Sequence, residues 1–132
     1  MDLKYFMIID DDADDRMFFK EALKEVLPSS VCLEANGGIE ALQLLRKSEK
    51  LPDFIFLDIN MPRMDGRECL KELKRDGKIK DVPVAMYSTS FNEETINEYY
   101  KLGASSFLNK PTDINKLPAQ ILEAITRPIK MS

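Results

Sequence analysis

Five short apolar runs, spaced about 20 to 30 residues apart and each followed by a stretch of helical periodicity, leave this chain few folds to adopt. The runs are Tyr5 to Ile9, Val31 to Ala35, Phe54 to Leu57, Val82 to Tyr87 and Ser105 to Leu108. Strands that alternate with helices return in the same direction, so the pattern predicts βα units building a parallel sheet. The first, third and fourth runs are nearly continuously apolar, as strands covered on both faces must be. The mixed Val31 to Ala35 run belongs nearer an edge.

Between the runs, apolar residues fall at helical spacing and mark one-sided helices. The first carries Phe18, Phe19, Ala22, Leu23, Val26 and Leu27; the second Ile39, Leu42 and Leu45; the third Cys69, Leu70 and Leu73. Asn92, followed by Glu93 and Glu94, predicts the cap of a fourth helix that turns Ile96, Tyr99 and Tyr100 wholly or partly inward and ends near Gly103. The fifth carries Leu117, Ile121, Leu122 and Ile125. Pro118 removes a backbone donor, so the regular helix is expected to begin within a few residues of it, later than Asp113 suggests. A chain of 132 residues fits one domain, 1–132, with no linker and no output domain expected.

Ligands gather at the carboxyl ends of parallel strands, and there the chemistry collects. Five of the six residues from Asp10 to Asp15 are acidic. Asp12, Asp14 and Asp15 read as solvated cap residues of the first helix. Asp10 and Asp11 lie directly against the apolar run, where two hard oxygen ligands for Mg²⁺ are expected. Asp58 follows the third run and precedes Ile59-Asn60-Met61-Pro62-Arg63-Met64-Asp65-Gly66, which delivers a third carboxylate to the same rim. Strand four ends in the hydroxyls Ser88-Thr89-Ser90, and strand five in Asn109-Lys110-Pro111, whose ammonium balances the acids. Together these make a phosphoryl-transfer set: a carboxylate nucleophile, a cation site, a hydroxyl donor and a lysine.

In this arrangement the chain resembles the receiver domains of two-component response regulators, of the single-domain kind typified by the chemotaxis response regulator. The resemblance spans about Tyr5 to Ile125. It is carried by Ile8-Ile9-Asp10-Asp11, by Leu57-Asp58 with Met61-Pro62 and Met64-Asp65-Gly66, and by Gly103-Ala104-Ser105 leading into Phe107-Leu108-Asn109-Lys110-Pro111. It implies a doubly wound, flavodoxin-like (βα)5 α/β fold with strand order 2-1-3-4-5. By the same resemblance Asp58 is phosphorylated, and Mg²⁺ is held by Asp10, Asp11, Asp58 and the backbone carbonyl of Asn60. Ser88 and Lys110 take the catalytic hydroxyl and lysine positions. The Lys110-Pro111 bond resembles one that is usually cis, a turn that would aim the lysine.

Phosphorylation, by the resemblance, draws Ser88 toward the phosphate and moves an aromatic residue on strand five. The surface of the fourth helix, fifth strand and fifth helix then changes partners. That aromatic is Phe107, where tyrosine is common; the missing hydroxyl removes a hydrogen bond that would hold the ring in one state. With no histidine in the chain, the phosphoryl donor must act in trans, as a sensor histidine kinase or a histidine phosphotransfer protein. The expectation is a phosphoacceptor that catalyses only its own phosphorylation and dephosphorylation, signals to a separate protein target and acts as a monomer or weak homodimer.

Composition narrows the alternatives. A net charge of -4 argues against a nucleic-acid surface. No apolar run reaches the roughly 18 residues that span a membrane, and the start lacks a signal-peptide profile. Cys32 and Cys69 form no C-x-x-C pair and read as reduced packing residues of a cytoplasmic protein. Two rivals stay open. Phe6 to Asp12 also fits a haloacid-dehalogenase-type phosphatase, with Asp10 as nucleophile and Asp12 as acid. A second is a constitutive adaptor with the same fold. A flavin or dinucleotide carrier is disfavoured because no glycine-rich loop follows strand one.

Overall fold

A computed structural model describes residues 5–89 and 91–126. The chain runs β1 (Tyr5–Ile9), α1 (Ala13–Val26), β2 (Val31–Ala35), α2 (Gly38–Lys47), β3 (Phe54–Asp58), α3 (Gly66–Arg75), β4 (Val84–Ser88), α4 (Glu93–Lys101), β5 (Ser106–Asn109), a 3-10 turn (Ile114–Lys116) and α5 (Leu117–Thr126). All four strand pairings are parallel, and the order is β2-β1-β3-β4-β5. This is the doubly wound, flavodoxin-like arrangement that the family resemblance implies.

Strand alternation divides the interior into two cores. Met7, Ile9, Ile55, Leu57, Val84 and Met86 face Leu42, Leu45, Leu70, Leu73 and Tyr99 of α2, α3 and α4. Phe6, Ile8, Phe54, Phe56 and Tyr87 face Phe19, Leu23, Leu117, Ile121 and Ile125 of α1 and α5. The second core is aromatic: Phe56 lies 4.7 Å from Phe19 and 5.1 Å from Phe54 between ring centroids. Burying each such ring contributes on the order of 2–3 kcal/mol. Burial of every residue in β3 and β4 accounts for their continuous apolar runs, and β2 is an edge strand with Val31 54% exposed.

Several boundaries and faces differ from the pattern read in the sequence. β4 begins at Val84, because Val82 closes a turn by donating to the Ile79 carbonyl and Pro83 has no N–H to add to the ladder. β3 and β5 end one residue later than expected, at Asp58 and Asn109. Phe18, Ile39 and Leu122 have apolar spacing but stand exposed, on flanks that no neighbouring element covers. Asn92 caps α4 as expected, its side chain accepting from Thr95 N–H, and Gly103 leaves that helix at φ 109°. Pro118 is the second residue of α5, and Asp113 caps the 3-10 turn instead. The chain's start, on which the signal-peptide expectation fell, lies outside the described residues.

Candidate functional site

Two strands, β1 and β3, bring acids to one end of the sheet, and β4 adds a hydroxyl there. Asp10 follows β1 directly, its N–H still donating to the Ala35 carbonyl of β2 at 3.1 Å, so the strand ladder fixes its backbone. Arg16 of α1 donates to the Asp10 carbonyl at 2.7 Å and to Glu34 of β2 at 3.1 Å, tying the first helix over that strand end. Asp58 ends β3 opposite Tyr87 of β4, and Ser88 comes one residue later. Asp10, Asp58 and Ser88 are all buried, whereas Asp11 is exposed.

Local backbone chemistry holds the two buried carboxylates. Asp10 Oδ1 accepts from Asp12 N–H at 3.0 Å, and Asp58 Oδ1 accepts from Asn60 N–H at 3.3 Å. After Asp58 the chain must turn into α3 within a few residues. Asp65 caps that helix by accepting from Glu68 N–H at 2.9 Å. Gly66 then presses against the strand end: a Cβ there would lie 2.5 Å from the Asp58 carbonyl oxygen and 2.6 Å from Ile59 Cα. Glycine is needed at this position for space. In the same loop Arg63 adopts φ 67°, a left-handed conformation uncommon for a residue with a side chain.

Lys110 follows β5, its N–H donating to the Ser88 carbonyl at 2.7 Å. Its ammonium donates to Asp10 Oδ2 at 3.1 Å and to Asp15 Oδ2 at 3.0 Å, and lies 3.6 Å from Asp58 Oδ1. The Tyr87 ring centroid is 4.9 Å from it, a cation–π contact. Two expectations are corrected here. Among the described residues there is no cis peptide bond, so the lysine is aimed by its own backbone bond to Ser88 and by the acids, not by a cis Lys110-Pro111 turn. Asp12 does cap α1, but Asp15 pairs with Lys110 and is not merely solvated. Asp12 as N-cap makes Asp15 the third helical residue, whose side chain turns back toward the strand ends, and that was the signal available in the sequence.

The electrostatics follow from burial. Asp58 is pushed up to about 7, first by burial and then by the charge of Asp10, while Lys110 and the Asn60 N–H pull the other way. Burial alone would lower Lys110, but the combined pull of Asp15, Asp10 and Asp58 outweighs it and holds the ammonium above its ordinary value. Burial pushes both thiols up to about 12, which leaves Cys32 and Cys69 as unreactive packing residues.

Asp10, Asp11 and Asp58 each offer an oxygen, and these atoms all lie within 4.8 Å of one another. Such a set of hard oxygen donors, closed on the sheet side and open at Asp11, fits a divalent cation. Phe107 is half-buried and packs edge-on against Phe91, ring centroids 5.1 Å apart. Ser90 lies outside the described residues. Among the described residues, no helix is long and apolar enough to cross a membrane.

Comparison with known proteins converges on one family. The family model described as the response regulator receiver domain matches residues 6–122. The response regulator Rcp1 of Synechocystis sp. is 28% identical over 95% of this chain and 93% of its own. A chemotaxis protein CheY homolog of Campylobacter jejuni is 32% identical over 80% of this chain and 79% of its own. The crystal structure of the phosphorylated cyanobacterial phytochrome response regulator RcpA superposes with a TM-score of 0.81, at 31% identity over 92% of both chains. Rcp1 has also been solved in a form with bound Mn²⁺, with a TM-score of 0.72 and 26% identity over 98% of this chain and 99% of that one.

Proposed function

The chain belongs to the response regulator receiver family, whose general function is phosphorylation on an aspartate, and on that premise we propose that it accepts a phosphoryl group from a phosphohistidine donor on Asp58 in a Mg²⁺-dependent reaction. The single observation that carries this reading is the meeting of Asp10, Asp11 and Asp58 within 4.8 Å, with Lys110 3.6 Å from Asp58.

Asp10, Asp11 and Asp58 would hold the ion, with the Asn60 carbonyl as a further oxygen. When bound, Mg²⁺ supplies the positive charge that keeps Asp58 ionised and offsets the phosphoryl oxygens. An Asp58 carboxylate oxygen forms the new bond to phosphorus. The bond to the donor's imidazole nitrogen breaks, and its electron pair stays on the imidazole. Ser88 ends β4, beside β3, and Lys110 follows β5 beyond it; they would take a hydrogen bond and the charge of the added oxygens. The phosphoryl group adds roughly -1.5 to -2 charge at neutral pH. Ser88 and Phe107 relay that change to the surface of α4, β5 and α5, which then binds a protein target. The domain catalyses only its own phosphorylation and dephosphorylation, acts in the cytoplasm and is a monomer or weak homodimer.

The test is transfer from a panel of phosphorylated histidine kinases, of both chemotaxis and phytochrome type, with Mg²⁺ and with chelator. We expect Asp58→Asn and chelation each to abolish labelling. Undiminished labelling of Asp58→Asn would reject the assignment, and labelling lost only in Asp10→Asn would favour a phosphatase-like nucleophile.

A further inference from the structure

We infer that Asp15 is a positioning residue for Lys110, holding the ammonium at the rim of the site so that Asp10 and Asp58 stay open to a divalent cation. This rests on the reading of the site as a cation-dependent phosphoryl acceptor. The lysine stands among three carboxylates, at 3.1 Å from Asp10 Oδ2, 3.0 Å from Asp15 Oδ2 and 3.6 Å from Asp58 Oδ1. Two of the three belong to the oxygen cluster suited to a cation, together with Asp11; Asp15 does not.

That division sets up a conflict. A cation drawn to Asp10 and Asp58 uses the negative charge on which the ammonium leans, and the two positive charges repel. With Asp10 and Asp58 as its sole acceptors, Lys110 has two outcomes: it opposes the cation from within the site, or it swings into solvent, away from where it is needed. Asp15 provides a third acceptor at a distance already suited to a charge-assisted hydrogen bond.

The placement of Asp15 is itself fixed. Asp12 caps α1 by accepting from both Asp14 N–H and Asp15 N–H, at 2.9 and 3.2 Å, so the first turn of the helix holds the carboxylate over the strand ends. Arg16, the next residue, anchors that turn to the Asp10 carbonyl. The Asp15 side chain is 36% exposed and Lys110 only 16%, so Asp15 can give up its bond to water more readily than Lys110 can lose a partner. The Tyr87 ring supports the ammonium from below.

A double-mutant cycle on the full chain decides the matter, read by calorimetric titration with Mg²⁺ alone. Asp15→Asn should weaken Mg²⁺ binding about fivefold or more, because the released ammonium falls back on Asp10 and Asp58. In a Lys110→Ala background the same substitution should change the affinity less than about twofold. Asp15→Glu, which keeps the charge, should restore most of the loss. An equal loss with and without Lys110 would mean that Asp15 acts only as nearby negative charge and would overturn the inference, as would no loss at all. If the unsubstituted chain binds no Mg²⁺, the phosphoacceptor reading fails first and takes this inference with it.

Discussion

Asp58→Asn should make the metal-free protein more stable, and by an amount that depends on pH. Burial and the neighbouring Asp10 raise the Asp58 carboxyl from 3.8 to about 7 in the folded state. The folded chain therefore holds a proton between about pH 4 and pH 7 that the unfolded chain has released. Stability from this group is full below pH 4, falls as the pH rises through that window and is lost above 7. At about 1.4 kcal/mol per tenfold, ionising Asp58 costs up to roughly 4 kcal/mol. Relaxation, solvent entry and the loss of one Lys110 partner in the variant reduce the gain from substitution to about 2 kcal/mol. For a domain of this size that is a rise of roughly 8 °C in Tm. Thermal and urea unfolding in chelator at pH 4, 6 and 8 would read it. The gain should be near zero at pH 4, partial at pH 6 and full at pH 8. Saturating Mg²⁺ should shrink or reverse it, because the ion binds the folded unsubstituted chain. A variant less stable than the parent at pH 8 in chelator, or a gain independent of pH, would refute the electrostatic reasoning.

Other substitutions probe other parts of the structure. Gly66→Ala forces a Cβ to within 2.5 Å of the Asp58 carbonyl oxygen; we expect a loss of about 2–3 kcal/mol in urea unfolding together with slower phosphorylation, since the strand end itself must shift. Lys110→Ala removes the ammonium paired with the buried Asp10 and Asp58 carboxylates, and should lower metal-free stability by about 2–4 kcal/mol at pH 8 while Mg²⁺ recovers part of the loss. Phe56→Ala opens a hole between Phe19 and Phe54, and should lower stability by about 3–5 kcal/mol in the same assay with little effect on Mg²⁺ affinity.

The elements most legible in the sequence are those whose burial is complete. β1, β3 and β4 are covered on both faces by helices, so their apolar runs are unbroken and locate them well, along with the carboxylates at their ends. Helix faces were less legible. Spacing identifies an apolar stripe but not whether anything covers it, and Phe18, Ile39 and Leu122 remain exposed. The convergence of Asp10, Asp11, Asp58 and Lys110 was legible because each lies at or just after the carboxyl end of a parallel strand, where all such ends share one rim of the sheet. The Asp12 cap places Asp15 on the first turn of α1 near the strand ends, but its partner lies 95 residues along the chain and is set by tertiary packing, so local spacing marks the position of Asp15 without naming Lys110. The cis Lys110-Pro111 bond came from resemblance and not from these residues, and the backbone is trans there.

Locating the acyl phosphate is the most direct test. After transfer from a phosphohistidine donor in Mg²⁺, borohydride reduction converts a phosphorylated aspartate to homoserine, and peptide mass spectrometry then reads its position. Homoserine at position 58, dependent on donor and Mg²⁺, is the expected result. Homoserine at Asp10, or none at any aspartate from a donor that labels other receivers, would contradict Asp58 as the phosphoacceptor.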